Sequence, residues 1–129
     1  MSQENVEIVR SILANWKRGD FSSIDWADPQ IEYIGGDNVE TRGIDALARR
    51  WREFLAAWDH FATAPEQFID AGDDRVLALV SFEGRGRTSG APTTSFSGGQ
   101  LFTLREGKVV RLALYTGRKQ ALEAAGLRE

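Results

Sequence analysis

The stretch Gly98-Gly99-Gln100-Leu101-Phe102-Thr103-Leu104-Arg105-Glu106-Gly107-Lys108-Val109-Val110-Arg111-Leu112-Ala113-Leu114-Tyr115 decides how this chain folds. It reads as two strands joined by a tight turn, apolar nearly throughout except for one amide, Gln100. A three-residue loop Arg105-Glu106-Gly107, with the glycine left-handed, pairs Leu104 with Lys108. Gln100, Phe102, Leu104, Val110, Leu112 and Leu114 then share one face, and Leu101, Thr103, Val109, Arg111, Ala113 and Tyr115 share the other. A two-residue Glu106-Gly107 turn would exchange the faces of the second strand, because a slip of one residue flips every side chain. The first register is preferred because it leaves Gln100 as the only polar side chain between strand ends on an aliphatic wall. A polar group there either satisfies a neighbouring backbone group or meets a ligand.

Working outward, the chain alternates with period two from Phe61 onward. Phe61–Ala71 and Arg75–Arg87 read as strands joined at Gly72-Asp73-Asp74, and Thr93–Arg105 pairs with Lys108–Tyr115. Gly98-Gly99 inside a strand implies a bulge that bends the sheet. Val76, Ala78, Val80 and Phe82 face one side, while Leu77, Leu79, Ser81, Glu83 and Arg85 face the other. Both faces carry apolar residues, so both are expected to be covered, one by helices and one by a second subunit. The expected homodimer face carries Leu77, Leu79, Leu101, Val109 and Ala113.

The N-terminal half is helical in period. Ser2 can cap a helix in which Val6, Val9, Ile12, Leu13 and Trp16 recur, ended by Gly19-Asp20. A short helical turn is expected around Phe21, Ile24 and Trp26, broken by Asp28-Pro29. Ile31–Ile34 reads as a strand closed by Gly35-Gly36-Asp37-Asn38. The strongest helix signal is Gly43–Trp58, with Ile44, Leu47, Trp51, Phe54, Leu55 and Trp58 in one stripe. Lys119–Ala125 forms a last short helix before Gly126. Helices followed by a run of antiparallel strands predict an α+β domain spanning residues 1–129, with the helices on one face of a curved sheet.

Composition narrows the partners. With 16 Lys and Arg against 19 Asp and Glu, a net charge of −3 and no long run of like charges, nucleic acid and anionic membrane surfaces are not expected partners. Cysteine is absent, which removes disulfides, thiolate nucleophiles and thiolate metal sites. No apolar run approaches a membrane span and no leader pattern opens the chain, so a cytoplasmic protein is expected. His60 is the only histidine and has no acidic partners at metal-ligand spacing, so it is read as a solvated helix-end residue. Arg85 and Arg87 alternate with Gly84 and Gly86 but precede no helix, so they do not form a phosphate-cradling loop. No metal or cofactor is expected.

Several segments together carry a resemblance. These are the first helix ending in Arg18-Gly19-Asp20, the approach Ala27-Asp28-Pro29-Gln30-Ile31-Glu32-Tyr33, and Thr41-Arg42-Gly43-Ile44 before the long helix. Phe68-Ile69-Asp70-Ala71-Gly72-Asp73, Leu104-Arg105-Glu106-Gly107-Lys108-Val109-Val110 and the tail Ala121-Leu122-Glu123-Ala124-Ala125-Gly126-Leu127 complete the set. The chain resembles the SnoaL-like branch of the nuclear transport factor 2-like superfamily. The resemblance implies a cone, in which a curved antiparallel sheet wraps about three helices and opens at one end to a ligand cavity. It also implies dimerisation through the sheet back. The superfamily includes ketosteroid isomerases, polyketide cyclases, epoxide hydrolases and many non-catalytic members. Carried over by matching segments, the isomerases' oxyanion-hole tyrosine falls on Ile12, their protonated acid on Gln100, and their base on Ile34 or Gly35. The cyclase carboxylate position falls near Tyr115-Thr116-Gly117. None of these keeps the catalytic residue type.

Two functions follow as expectations. One is an enzyme, an isomerase, cyclase or hydrolase, acting on a small apolar polyketide-, terpenoid- or steroid-like molecule. Gln100 and Tyr33 would orient its oxygen, and Trp51, Phe54, Phe82, Phe102, Leu112 and Leu114 would form the walls. Asp37 is then the nearest acid that a loop could bring over the mouth. The other is a non-catalytic ligand-binding or dimerisation module built around the same cavity.

Overall fold

The computed structural model describes residues 2–18, 20–21, 23–35, 38–86 and 94–127. Asp37 and Arg87 lie outside them, so the expectations placed on these two residues have no structural counterpart. The elements run α1 (Ser2–Lys17), β1 (Ala27–Ile34), β2 (Glu40–Arg42), α2 (Ile44–Ala56), β3 (Trp58–Gly72), β4 (Arg75–Gly86), β5 (Thr94–Arg105), β6 (Lys108–Tyr115) and α3 (Arg118–Ala124). The strands form one sheet in the order β2-β1-β6-β5-β4-β3. The α+β expectation holds, with three helices and a curved, unclosed sheet, but the helices do not share one face as expected: α1 and α2 cover one face and α3 the other. The sheet is mixed rather than wholly antiparallel, because β1 returns beside β6 in the same direction, pairing Tyr33 with Leu112.

Tight turns fix the register of the long strands. Asp73 and Asp74 form a two-residue turn with φ of 54° and 60°, the left-handed geometry that matches strand twist and that short polar side chains tolerate. Glu106 and Gly107 do the same at φ 50° and 81°, with Arg105 opposite Lys108. The three-residue loop expected there is therefore not formed. One extra residue in β6, between the Leu104–Val109 and Thr103–Arg111 pairs, reverses the flip that the shorter turn imposes. Gln100 thus stands opposite Leu114 and Phe102 opposite Leu112, on one face as the sequence predicts, but Val109 rather than Val110 enters the inner core.

The alternation of β4 divides two cores. Val76, Ala78, Val80 and Phe82 join Val9, Ile12, Leu13 and Trp16 of α1 and Leu47 of α2 on the inner face. On the outer face Leu77, Leu79 and Leu101 pack against Ala121 and Leu122 of α3 and Ala125 just after it. The five residues assigned to a dimer face are all buried within the single chain, so they need no second subunit to leave water. Arg75 ties α3 down, its guanidinium donating to the Ala71 and Ala125 carbonyls at 3.0 and 3.2 Å. In the adjoining turn, Asn5 of α1 donates to Asp74 at 3.3 Å.

Gly98-Gly99 makes no bulge, since β4 and β5 pair without interruption from Arg75–Thr103 to Gly84–Thr94. The two glycines instead permit close approach. A Cβ on Gly99 would lie 2.3 Å from the Ala121 Cβ, and one on Gly98 would lie 2.3 Å from the Tyr115 carbonyl oxygen. The expected helical turn around Phe21, Ile24 and Trp26 is absent among the described residues there. The Trp26 indole donates to the Ser23 carbonyl and its own carbonyl accepts from Val109, so these backbone and side-chain groups anchor the segment without a helix. The second helix ends at Ala56 because Trp58 begins β3 opposite Gly86. His60 accordingly sits in a strand, opposite Arg85, and not at a helix end.

Candidate functional site

The inner face does not pack solid. A cavity of about 160 Å³ remains between the helices and the sheet. Each wall follows from an element already described. Helix α1 and the segment after it supply Trp16 and Phe21, β1 supplies Tyr33, and α2 supplies Trp51, Phe54 and Leu55. Opposite them stand Phe61 and Thr63 of β3, Phe82 of β4, Gln100 of β5, and Leu114, Tyr115 and Thr116 at the end of β6.

Aromatic rings hold one another in place here. Trp51 lies edge-on to Trp16 at 4.9 Å and to Tyr33 at 6.1 Å between ring centroids. Such pairs add roughly 0.5–1.5 kcal/mol each beyond area burial, so they set the cavity shape as well as its polarity. Arg50 bonds the Val39 carbonyl and the Thr41 hydroxyl, fastening α2 to β2, and spreads over the Tyr33 ring at 5.2 Å. At the mouth, Phe54 is 48% exposed and meets Phe61 edge-on at 5.0 Å. Trp58 packs on Phe61 at 5.3 Å, a position open only because Gly84 has no side chain. A Cβ there would lie 2.5 Å from the Trp58 ring.

The polar feature is Gln100. It is 3% exposed and flanked across the sheet by Ala78 and Leu114. Of the buried side-chain nitrogen and oxygen atoms of the described residues, only its Oε1 has no hydrogen-bond partner within the protein. Buried polar groups are nearly always paired, and an orphan costs about 1–3 kcal/mol. The alternative in which the amide satisfies a backbone group through this oxygen is not what the structure shows. Thr63, 1% exposed, lines the same cavity.

Of the residues expected at the site, the cavity brings together Gln100, Tyr33, Trp51, Phe54, Phe82 and Leu114. Phe102 and Leu112 are fully buried in the inner core and do not line it. Phe102 packs against the Trp16 ring at 6.2 Å and so lies behind the wall rather than in it. Trp16, Phe21, Leu55, Phe61, Thr63, Tyr115 and Thr116 line the cavity without having been singled out as contacts. For Thr63 a signal existed, since period two places it on the face of Phe61. Ile12, where the resemblance places a tyrosine, is a core residue at 4% exposure.

Among the described lining residues there is no carboxylate, imidazole or amine. No cluster of three or more histidine, cysteine or acidic side chains able to hold a metal occurs among the described residues. No helix of the described residues is long and apolar enough to cross a membrane. A second, polar groove of about 590 Å³ lies on the other side of the β6 terminus. It shares Leu114, Tyr115 and Thr116 with the cavity and adds Glu40, Arg111 and Gln120.

Comparison with known proteins agrees with this architecture. A protein with a nuclear transport factor 2-like fold and unknown function from Burkholderia pseudomallei superposes with a TM-score of 0.77 at 16% identity, covering 96% of each chain. TerC, co-crystallised with polyporic acid, gives a TM-score of 0.75 at 18% identity over 88% of this chain and 92% of its own. A hypothetical protein with a ketosteroid isomerase-like fold from Catenulispora acidiphila, solved with trimethylamine, gives 0.73 at 15% identity over 95% and 94%. No curated protein matches the chain in sequence. The SnoaL-like domain model matches residues 9–112, most of the elements that build the cavity, and the chain belongs to the SnoaL-like domain family.

Proposed function

We propose that this chain binds a small, mostly apolar organic molecule in the inner cavity, with Gln100 meeting its polar atom. The single observation that carries the reading is Gln100, a buried amide lining a mostly apolar cavity, whose Oε1 has no partner in the protein. An acceptor with no partner in the protein is one that a ligand's donor can satisfy. Aromatic walls suit a planar ligand, and the fixed ring pairs reduce the ordering that binding would otherwise require. The structures of TerC with polyporic acid and of the Catenulispora protein with trimethylamine show small organic molecules with proteins of this fold, which supports the same use here.

Size limits the ligand. Sites for drug-sized molecules usually span roughly 300–1,000 Å³, whereas this cavity holds about 160 Å³. A cavity of about 150 Å³ takes one benzene ring. Proton transfer needs a group of suitable pKa within hydrogen-bond reach of the ligand, and no described lining residue offers a carboxylate or imidazole. Binding without acid-base catalysis by the walls is therefore the reading adopted, ahead of the isomerase, cyclase and hydrolase alternatives.

Isothermal titration with phenol, toluene and benzaldehyde tests it. At least one should bind with saturable heat, and Leu114→Trp, which fills the cavity, should abolish that heat while circular dichroism shows a folded chain. If none binds, or if binding persists unchanged in both Leu114→Trp and Phe82→Trp, the cavity is not the site.

A further inference from the structure

We infer that the cavity selects a neutral, single-ring compound bearing a hydrogen-bond donor, a phenol-type hydroxyl rather than a carbonyl or an ammonium group. The inference rests on the binding role proposed above and assigns the ligand's chemistry. Three observations combine to give it.

The polarity of the orphan atom comes first. The unpartnered group is the amide oxygen of Gln100, an acceptor, while no buried side-chain donor among the described residues lacks a partner. A carbonyl ligand brings a second acceptor and leaves Oε1 unsatisfied, whereas a hydroxyl brings the proton it needs. Charge comes second. The described lining residues carry no carboxylate to balance a cation. Taking an ammonium group out of water without a counter-ion is costly, and aromatic faces return only part of that cost. A neutral phenol avoids it and stays un-ionised near pH 7.

Volume and shape come third. About 160 Å³ bounded by Trp16, Trp51, Phe61 and Phe82 admits one ring, with edges and faces of the walls available for offset contacts. A fused multi-ring ligand would require these rings to move apart, yet Trp16 is fixed by Trp51 at 4.9 Å, Trp26 at 5.8 Å and Phe21 at 5.9 Å.

A matched probe set decides the matter by calorimetric competition at pH 7. Phenol, anisole, benzaldehyde, trimethylammonium and estradiol differ in donor, acceptor, charge or size. The expected order has phenol about tenfold tighter than anisole and benzaldehyde, the worth of one good hydrogen bond, with trimethylammonium weaker still and estradiol not competing. Gln100→Leu should remove the preference for phenol over anisole while leaving anisole affinity within about twofold. If anisole or benzaldehyde equals or exceeds phenol, the donor assignment is wrong while the cavity remains a binding site. Tighter binding of trimethylammonium overturns neutrality, and competition by estradiol overturns the one-ring limit. If no probe binds, the binding role itself fails and this inference with it.

Discussion

On the outer face of the sheet, α3 and the residue just after it lay Ala121, Leu122 and Ala125 onto Leu77, Leu79 and Leu101, and the missing side chain of Gly99 lets the helix settle against β5. On the inner face, tryptophan, phenylalanine and tyrosine rings brace one another and leave about 160 Å³ open beside an unpaired amide. Small residues allow backbones to approach until no gap is left, whereas large rigid rings touch each other before the space between them closes. The outer face is packed for stability. The inner face leaves open space and a buried acceptor with no partner in the protein.

Substitutions on the two faces should therefore separate stability from binding. The largest stability loss is expected for Leu77→Ala, which empties a fully buried site under α3 and should cost about 2–5 kcal/mol in urea unfolding. Phenol affinity of the folded protein should not change. Gly99→Ala comes next, because its Cβ would sit 2.3 Å from that of Ala121. Displacement of α3 should cost about 1–3 kcal/mol, again without affecting the cavity. Were either change to weaken phenol binding in protein that remains folded, the two faces would have to be energetically coupled.

Gly84→Ala acts at the mouth instead. The new Cβ would clash with the Trp58 ring and shift Phe61, but Phe54 beyond them is half exposed and free to give way. Stability should fall by about 1–2 kcal/mol, while ligand affinity changes by severalfold in titration calorimetry. Smallest is Gln100→Leu, expected to be neutral or to stabilise by up to about 1 kcal/mol, since it removes an orphaned acceptor from an apolar site. A loss above about 2 kcal/mol would make the amide a structural element and the inner face no different in kind from the outer one.

How far these features are legible from sequence depends on the interaction that sets them. The alternation of β4 and the aliphatic runs of β5 and β6 are local, and period two places Val76 to Phe82 and Gln100 correctly. The turn at Glu106-Gly107 is also local, yet its two-residue form becomes compatible with that placement only through an extra residue in β6, which no turn signal announces. The parallel pairing of β1 with β6 joins segments far apart in sequence and has no local signature. Gly98 and Gly99 look like a bulge because glycine marks both bulges and close approaches, and only the position of α3 and the β6 terminus separates the two. Covering of Leu77 and Leu79 by α3 is missed for a similar reason: seven residues with little amphipathic length give no sign of what they cover. At the site, large aromatic residues are legible as candidates by type. Their division into cavity and core is not, since Phe102 and Phe82 share a face and differ only in what lies above them.

The central claim is that the buried amide of Gln100 is a ligand contact. Proton–nitrogen correlation spectra of nitrogen-labelled protein test it directly, with the Gln100 side-chain signal assigned by its loss in Gln100→Leu. Titration with phenol should move that signal saturably, at the same ligand concentrations that quench fluorescence of the cavity tryptophans Trp16 and Trp51. A Gln100 signal that stays in place while phenol saturates the protein would contradict the account.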